Sequence, residues 1–355
     1  MPDKRSTVRT VQGLVREGLV AADEQQRIER VADRYAISLT AAMRERITGG
    51  DDDPVALQFV PDPRELETTP QERDDPIGDG PFTPIPGITH RYPDRVLLKP
   101  LHLCPVYCRF CFRREVVGPG HGVLAEDDLS RAITYIRERP EIWEVILTGG
   151  DPLMLSPARL RRIVGELDAI AHVGVVRVHT RVPVVAPDRI TGELLDALSA
   201  DTPVWTVVHC NHRQELGGEA LLALKRLTDR GFPLLSQTVL LKGVNDSADA
   251  LEDLFRTLVR HRVKPYYLHQ ADLAPGTGHF RTTITAGQDL VAGLRGTVSG
   301  LCQPTYVLDI PGGHGKVPIG RGYLGGHPGG YLVTDPNGRV HRYPPAGDRP
   351  AEGEA

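Results

Sequence analysis

The 355-residue sequence contains no apolar run of the roughly 18 to 20 residues that a membrane-spanning helix needs. Its opening stretch, MPDKRSTVRT, also lacks the apolar segment of a secretory signal peptide. Positive charge is not in excess, because 42 Lys and Arg against 46 Asp and Glu give a formal net charge of −4. We therefore expect a cytoplasmic protein whose partners include neither a membrane nor nucleic acid.

Cysteine is scarce as well, with five residues in the chain, and it is unevenly spread. Three of the five, Cys104, Cys108 and Cys111, lie in the stretch LHLCPVYCRFCFRRE. A secreted disulfide framework uses an even, dispersed set of cysteines, so this pattern argues against one. Thiolates bind zinc or iron, and three of them leave one position of a four-ligand centre vacant. The residues alone leave two alternatives, an open [4Fe-4S] site, which is favoured, and zinc.

Short β-rich runs recur from residue 96 onward and alternate with amphipathic helical stretches. The runs are VLLKPL, EVILTGG, VVRVHT, PVWTVVH, PLLSQTVL and KPYYLH. Six such units predict parallel βαβ connections in a barrel or partial barrel, whose functional residues lie at the carboxyl ends of the strands. Chemically suggestive residues fall at these strand ends: the three cysteines, Gly149, Gly150, Asp151, His179, His209 and Gln237.

Composition divides the chain into four segments. Residues 1–50 have helical spacing and predict a helical N-terminal region, whereas residues 51–95 are rich in proline and glycine and predict an extended arm. Residues 96–316 carry the βα units and the predicted site. Residues 317–355 predict a short hairpin around Asn337-Gly338, followed by a disordered tail.

A lysine ends the glycine-rich segment DIPGGHGK, at position 316. Glycines permit close approach of a ligand, so Lys316 is suited to a Schiff base with pyridoxal phosphate, although a solvated lysine in a turn is the commoner alternative for any single lysine. A nucleotide-binding P-loop does not fit, because Val317-Pro318 follows where that motif requires Ser or Thr and the start of a helix.

The motifs in their order resemble a known family. CxxxCxxC after the first barrel strand and Gly-Gly-Asp after the second are similar to the radical S-adenosylmethionine superfamily. Together HRYPDRVLL, CPVYCRFCFRRE, LTGGDPL, HTRVPVV, QTVLLKGVND, GHFRT and SGLCQPTYVLDIPGGHGK resemble the lysine 2,3-aminomutase family, from about residue 58 to 320. The resemblance implies an α/β fold, a partial (β/α)6 TIM-like barrel of the radical S-adenosylmethionine type with a helical N-terminal region and a short C-terminal extension. It also implies a [4Fe-4S] cluster, S-adenosyl-L-methionine and pyridoxal 5′-phosphate as cofactors.

The same resemblance assigns residues to each ligand. Cys104, Cys108 and Cys111 are expected to bind the cluster, and Gly149, Gly150, Asp151 and His209 to bind S-adenosylmethionine. Pyridoxal phosphate is expected to be bound by the catalytic Lys316 and by Arg91, Arg95 and Gln237. The residues expected to bind the substrate are Arg113, Asp272 and Asp309. Arginines suit phosphate and carboxylate groups because they offer fixed, charge-assisted donors.

The activity that the resemblance implies is an isomerase, which interconverts L-lysine and L-β-lysine by moving the 2-amino group to C3. Asp272 and Asp309 suit the ε-ammonium of lysine, whereas glutamate would bring a second carboxylate next to like charges. A glutamate 2,3-aminomutase and an enzyme that supplies β-lysine for elongation factor P are the alternatives, and a non-catalytic iron–sulfur protein is an alternative of another class. Expected partners are L-lysine and an electron donor such as flavodoxin or ferredoxin, and a homo-oligomer stays open.

Two residues depart from the family pattern. Zinc-binding relatives have a cysteine after GVND where this chain has Ser247, and they have further cysteines in a C-terminal extension, so we predict no zinc. His314 replaces a glycine of the plainer PGGGGK form, which bears on the flexibility of the loop but not on its lysine.

Overall fold

The computed structural model describes residues 6–50, 52–120 and 122–344, so the predicted disordered tail, residues 346–355, lies outside the described part. Eleven α-helices are found there: α1 Val11–Arg16, α2 Gln25–Ala32, α3 Ala41–Arg44, α4 Ala56–Phe59, α5 Glu126–Arg137, α6 Pro157–Asp168, α7 Val182–Val185, α8 Gly192–Leu198, α9 Gly218–Asp229, α10 Ala248–Arg260 and α11 Ile284–Thr297. Short 3-10 helices are Pro63–Leu66, Gly80–Phe82, Pro152–Met154, Pro187–Arg189, Arg213–Glu215, Gly278–Phe280 and Gly300–Cys302.

Nine strands form one sheet in chain order: β1 Ile88–Tyr92, β2 Arg95–Leu101, β3 Glu144–Gly149, β4 Val175–Thr180, β5 Val204–His209, β6 Leu234–Leu240, β7 Val263–Gln270, β8 Thr305–Asp309 and β9 Lys316–Pro318. Strands β2 to β8 are parallel to their neighbours, and β1 and β9 pair antiparallel at the two edges. Helices connect successive parallel strands, which gives six βα units. The predicted α/β partial barrel is confirmed.

Apolar and polar side chains alternate along the strands, so that one face of the sheet packs against the helices and the other lines a polar interior. In β4, Val176 and Val178 are fully buried under the helices, whereas Arg177 and His179 alternate with them and keep some exposure. Because side chains of a strand point to opposite faces in turn, the polar residues of β4 share the concave face of the sheet. The predicted site residues of neighbouring strands therefore meet on that face.

Helix α10 shows how local sequence sets an element boundary. Its buried face carries Leu251, Leu254 and Leu258 at helical spacing. Ser247 is its N-cap and accepts a hydrogen bond from the backbone N–H of Ala250 at 3.2 Å. The residue that stands where zinc-binding relatives have a cysteine thus has a helix-capping role here.

The N-terminal segments pack onto the barrel. Leu14, Ile28 and Met43 of the helical region belong to the same hydrophobic core as the barrel strands. The segment predicted as an extended arm contains α4, two 3-10 helices and β1, which is part of the main sheet. Its Glu65 is fully buried and forms a bidentate ion pair with Arg109, at 2.9 and 2.6 Å.

A small antiparallel sheet follows the barrel. Its strands are β10 Leu324–His327, β11 Gly330–Thr334 and β12 Val340–Tyr343. Strands β11 and β12 are joined through Asn337-Gly338, where Gly338 takes a φ of +81° and its N–H donates to the carbonyl of Asp335 at 3.0 Å. None of the described helices combines the length and apolar character that crossing a membrane requires.

Candidate active site

The three clustered cysteines lie in the loop after β2, and all three are free thiols. Burial raises the pKa of each thiol, and it raises the pKa of Cys111 to about 11, with a further contribution from the neighbouring Cys108. Only the thiolate is a metal ligand, so these side chains become ionised when a cation compensates them. The donor set therefore fits an iron cluster that supplies this positive charge.

Within residues 6–50, 52–120 and 122–344, no group of three or more His, Cys, Asp or Glu side chains is placed to hold a single metal ion.

Glycines at the end of β3 allow the next turn to pack against the cysteine loop. A Cβ on Gly150 would lie 2.3 Å from the carbonyl oxygen of Leu103, and one on Gly149, whose φ is +103°, would lie 2.6 Å from that of Leu101. The N–H of Gly150 donates to the same Leu101 oxygen at 2.8 Å. A side chain at either position would collide with the backbone of the cysteine loop, so both positions require glycine. The close contact places the predicted S-adenosylmethionine turn beside the cysteines.

Asp151 is fully engaged by the protein. Its Oδ1 accepts from the hydroxyl of Thr180 at 2.7 Å and from the N–H of Leu153 at 3.1 Å, and its Oδ2 accepts from the N–H groups of Arg181 and Val182 at 2.7 and 3.1 Å. These bonds join the end of β3 to the end of β4. A ligand would therefore contact this turn through its backbone rather than through the carboxylate.

The β8–β9 hairpin carries the predicted pyridoxal phosphate lysine. Glycines 312, 313 and 315 all take positive φ, and the tight turn returns Lys316 to a position directly opposite Asp309 in the ladder. The Lys316 ammonium donates to Asp309 Oδ2 at 2.6 Å and lies 3.1 Å from His269 Nδ1. His314 is exposed and does not have a positive φ, so the loop geometry does not need a glycine at this position.

Several buried polar atoms on the concave face have no protein partner. They are Arg91 Nε, His179 Nε2 and His269 Nε2, on strands β1, β4 and β7. A buried polar group without a partner is costly, and such groups are normally satisfied by a ligand or water. His269 Nδ1 lies 3.1 Å from the Lys316 ammonium, and the Lys316 charge acts on both His179 and His269, so these two groups fit a polar cofactor such as pyridoxal phosphate.

His209, the last residue of β5, lies beside Gln237, in the middle of β6, where the register pairs them. The pKa of His209 is lowered to about 3, mainly by burial and also by the charges of His269 and Arg181, while its hydrogen bond with Gln237 acts in the other direction. His209 is therefore a neutral imidazole at physiological pH.

Asp79, at the start of the 3-10 helix Gly80–Phe82, joins two predicted ligand-binding arginines. Its Oδ1 accepts from Arg91 at 3.1 Å and its Oδ2 accepts from Arg113 at 3.0 Å. Burial acts to raise the pKa of Asp79, but the charges of Arg113, Lys99 and Arg91 outweigh it and keep the pKa below its ordinary value. The carboxylate is thus ionised and fixes the two guanidinium groups relative to each other.

Arg95 lies further from the lysine. Its guanidinium lies 3.9 Å from the centre of the Tyr92 ring and forms an ion pair with Asp94 at 2.7 Å. The Tyr92 hydroxyl in turn accepts from the backbone N–H of Lys316 at 2.8 Å. In the described contacts, Arg95 is linked to Lys316 through Tyr92 and does not touch it.

The pKa values of the two predicted substrate aspartates are shifted in opposite directions. Asp309 has its pKa lowered because hydrogen bonds and charges of His269 and Lys316 outweigh its burial. Burial raises the pKa of Asp272 to about 7, and the negative charge of Asp309 contributes to the rise. The site therefore holds two neighbouring carboxylates of which only Asp309 has a close cationic partner.

Comparison with known proteins identifies the family. The Radical SAM superfamily model matches residues 98–256. The L-lysine 2,3-aminomutase of Clostridium subterminale is 40% identical over 321 residues, which cover 90% of this chain and 77% of that protein. The chain belongs to the lysine 2,3-aminomutase family.

Other lysine 2,3-aminomutase relatives agree with this membership. The L-lysine 2,3-aminomutase of Acetoanaerobium sticklandii is also 40% identical over 321 residues, covering 90% of this chain and 78% of that protein. The glutamate 2,3-aminomutase of Clostridioides difficile is 39% identical over 272 residues, covering 77% of this chain and 64% of that protein. The predicted family and isomerase class are confirmed, and the family implies a [4Fe-4S] cluster, S-adenosylmethionine and pyridoxal phosphate.

Three site residues of this lysine 2,3-aminomutase family member were not predicted. Asp79 lies in a proline- and glycine-rich segment, where no spacing links it to Arg91 or Arg113. His269 and Arg181 both stand at the ends of barrel strands, which is the signal that found His179 and His209. Applying that rule to KPYYLH and HTRVPVV would have identified both residues.

Proposed function

We propose that the protein interconverts L-lysine and L-β-lysine by 2,3-migration of the amino group. The observation that carries this proposal is the pair Asp272 and Asp309 beside Lys316, of which only Asp309 has a close cationic partner. A second cation, the ε-ammonium of lysine, would complete the charge balance. The side chain of glutamate would instead add a third carboxylate to a partly dehydrated pocket, which is unfavourable.

Cys104, Cys108 and Cys111 would hold the cluster, and the backbone of Gly149 to Asp151 together with His209 would contact S-adenosylmethionine. Lys316 would bind pyridoxal phosphate, with Arg91 and Gln237 as further contacts and Arg95 acting through Tyr92. When bound, the cluster and S-adenosylmethionine supply a radical that removes hydrogen from C3, and pyridoxal phosphate supplies the π-system for the nitrogen shift.

The protein itself provides orientation. Arg113, fixed by Asp79, would bind the substrate carboxylate through charge-assisted hydrogen bonds, and the aspartate pair would bind the other end of the molecule. Fixing both ends restricts the substrate to one position along the concave face of the sheet, so that the same carbon is always presented to the reacting groups. The neutral His209 adds no positive charge that would compete with the ammonium group for the aspartates.

A small amino acid is the substrate that the family implies. We propose further that flavodoxin or ferredoxin donates the electron and that the protein works in the cytoplasm, where thiols stay reduced. A homo-oligomer remains part of the proposal and is checked by sedimentation.

The decisive test is anaerobic incubation of the reconstituted protein with a panel of amino acids, with the products identified by mass spectrometry. L-lysine should give β-lysine, and glutamate should remain unchanged. The Lys316→Ala variant, with its cluster intact, serves as the inactive control. Turnover of glutamate at the rate of lysine, or no conversion of lysine by a fully loaded protein, would contradict the proposed substrate.

A further inference from the structure

Arg181 touches one of the cysteines proposed to bind the cluster. It follows β4, and its side chain is 8% exposed. Its Nη1 lies 2.7 Å from the sulfur of Cys108 and donates to it. Arg181 was not assigned to any ligand from the sequence, although it lies in the motif HTRVPVV.

A buried network fixes the guanidinium in this orientation. Its Nη2 donates to Gln58 Oε1 at 2.7 Å and to Glu215 Oε2 at 2.5 Å. Gln58 and Glu215 are themselves fully buried and bonded to each other at 3.1 Å, and Asn211 donates to both. The ring of Phe59 lies 4.7 Å from the guanidinium carbon, on the same segment as Gln58. Since every partner is buried, the position of the donor toward Cys108 is set by the fold.

We propose that Arg181 tunes the reduction potential of the cluster through its N–H bond to Cys108, and that it makes the cluster easier to reduce. Reduction by one electron from an external low-potential donor adds one negative charge to the bound cluster. A hydrogen bond to a ligand sulfur stabilises this added charge, and hydrogen bonding to the sulfurs is one of the factors that set iron–sulfur potentials. The inference rests on the cluster assignment made under the proposed function.

The neighbouring Glu215 allows a shift of the reduction potential in the opposite direction to be tested. Its carboxylate neutralises Arg181 and accepts from Nη2, whereas the thiol of Cys108 accepts from Nη1. Removing the carboxylate alone leaves the arginine charge uncompensated near the cluster, which favours the reduced state. Removing both charges leaves the net charge of the network unchanged but deletes the bond to the sulfur.

The experiment compares the midpoint potential of the wild type with those of Glu215→Gln and of the double variant Arg181→Gln/Glu215→Gln. Each protein is reconstituted anaerobically and titrated with dithionite, and the reduced cluster is followed by electron paramagnetic resonance. The double variant should show a reduction equilibrium at least tenfold less favourable, which is about 59 mV lower for a one-electron couple. Glu215→Gln should shift the potential in the opposite direction.

Arg189→Gln is the matched control, because this partly buried arginine lies close by in the chain but donates to the carbonyls of Leu153 and Met154 and touches no cysteine. Its potential should equal that of the wild type.

A double variant with full iron and sulfide content and an unchanged potential overturns the role of Arg181. If the double variant holds no cluster, Glu215→Gln decides: a raised potential supports the role of the arginine and a wild-type potential overturns it. A wild type without iron and sulfide removes the cluster assignment itself.

Discussion

The affinity for L-lysine should rise about tenfold as the pH is raised from about 6 to about 8. Asp272 has a pKa of about 7, because burial and then the charge of Asp309 raise it, while Lys316 and Arg113 act to lower it and Asp79 adds a smaller rise. Below its pKa the carboxyl is neutral and attracts the ε-ammonium weakly. Above its pKa it is charged and pairs with the ammonium, which itself stays protonated because its ordinary pKa is about 10.4.

The expected size of the effect follows from the ionised fraction of Asp272. This fraction changes from about one tenth to about nine tenths between one pH unit below and one pH unit above the pKa. Truncating one partner of a buried charge pair costs roughly 2 to 5 kcal/mol, and Asp272 retains some exposure, so the lower end applies. Asp272→Asn should therefore weaken lysine binding by more than tenfold, since about 1.4 kcal/mol is a factor of ten.

The measurement uses protein loaded with pyridoxal phosphate but without S-adenosylmethionine, so that binding occurs without turnover. Lysine is titrated in at each pH, and the change in pyridoxal absorbance gives the dissociation constant. Asp272→Asn should bind weakly and should lack the roughly tenfold rise in affinity that ionisation of Asp272 adds in the wild type. The reasoning fails if the variant keeps the wild-type pH profile, or if the wild type binds lysine equally well at both ends of the range.

Three further predictions concern the other ligands. Replacing Cys104, Cys108 or Cys111 by Ala should each remove the cluster absorption and the bound iron, and a full cluster in all three variants would overturn the assignment. Borohydride reduction of the pyridoxal-phosphate-loaded protein, followed by peptide mapping, should place the pyridoxyl group on Lys316; a label elsewhere would refute this. Asp79→Asn should raise KM for lysine about tenfold or more, because a hydrogen bond between charged groups contributes about 1.5 to 3 kcal/mol and Arg113 loses this anchor. An unchanged KM would show that Arg113 is positioned by other contacts.

The barrel could be predicted from the sequence because its signals are local. Runs such as VVRVHT and PVWTVVH contain the alternating and β-branched residues of buried strands, and they became β4 and β5. The approach of Lys316 to Asp309 was also local in origin, since the glycines between them close a hairpin. The order of the motifs predicted the family, and the similarity to known L-lysine 2,3-aminomutases confirmed it.

The charge networks could not be predicted, because their partners are distant in the chain. Arg181 and Gln58 are separated by 123 positions, and Asp79 and Arg113 by 34. A charged residue in a polar segment resembles a solvated surface group until the fold shows what it packs against. Glu65 in the stretch VPDPRELETTP is an example, since nothing in its neighbours indicates complete burial.

The burial of Gln58 and Glu65 has a consequence for how the chain acquires its structure. The two side chains are synthesised before the partners that satisfy them, since Glu65 needs Arg109 and Gln58 needs Arg181. A nascent chain that ends before residue 109 lacks the partner of Glu65, and one that ends before residue 181 still lacks the Arg181 partner of Gln58, so the arm completes its native contacts only after half of the barrel exists. The arm and the barrel should accordingly unfold in a single transition. A fragment that begins at residue 96 would lack Gln58 and Glu65, the groups that hold the cysteine loop in place.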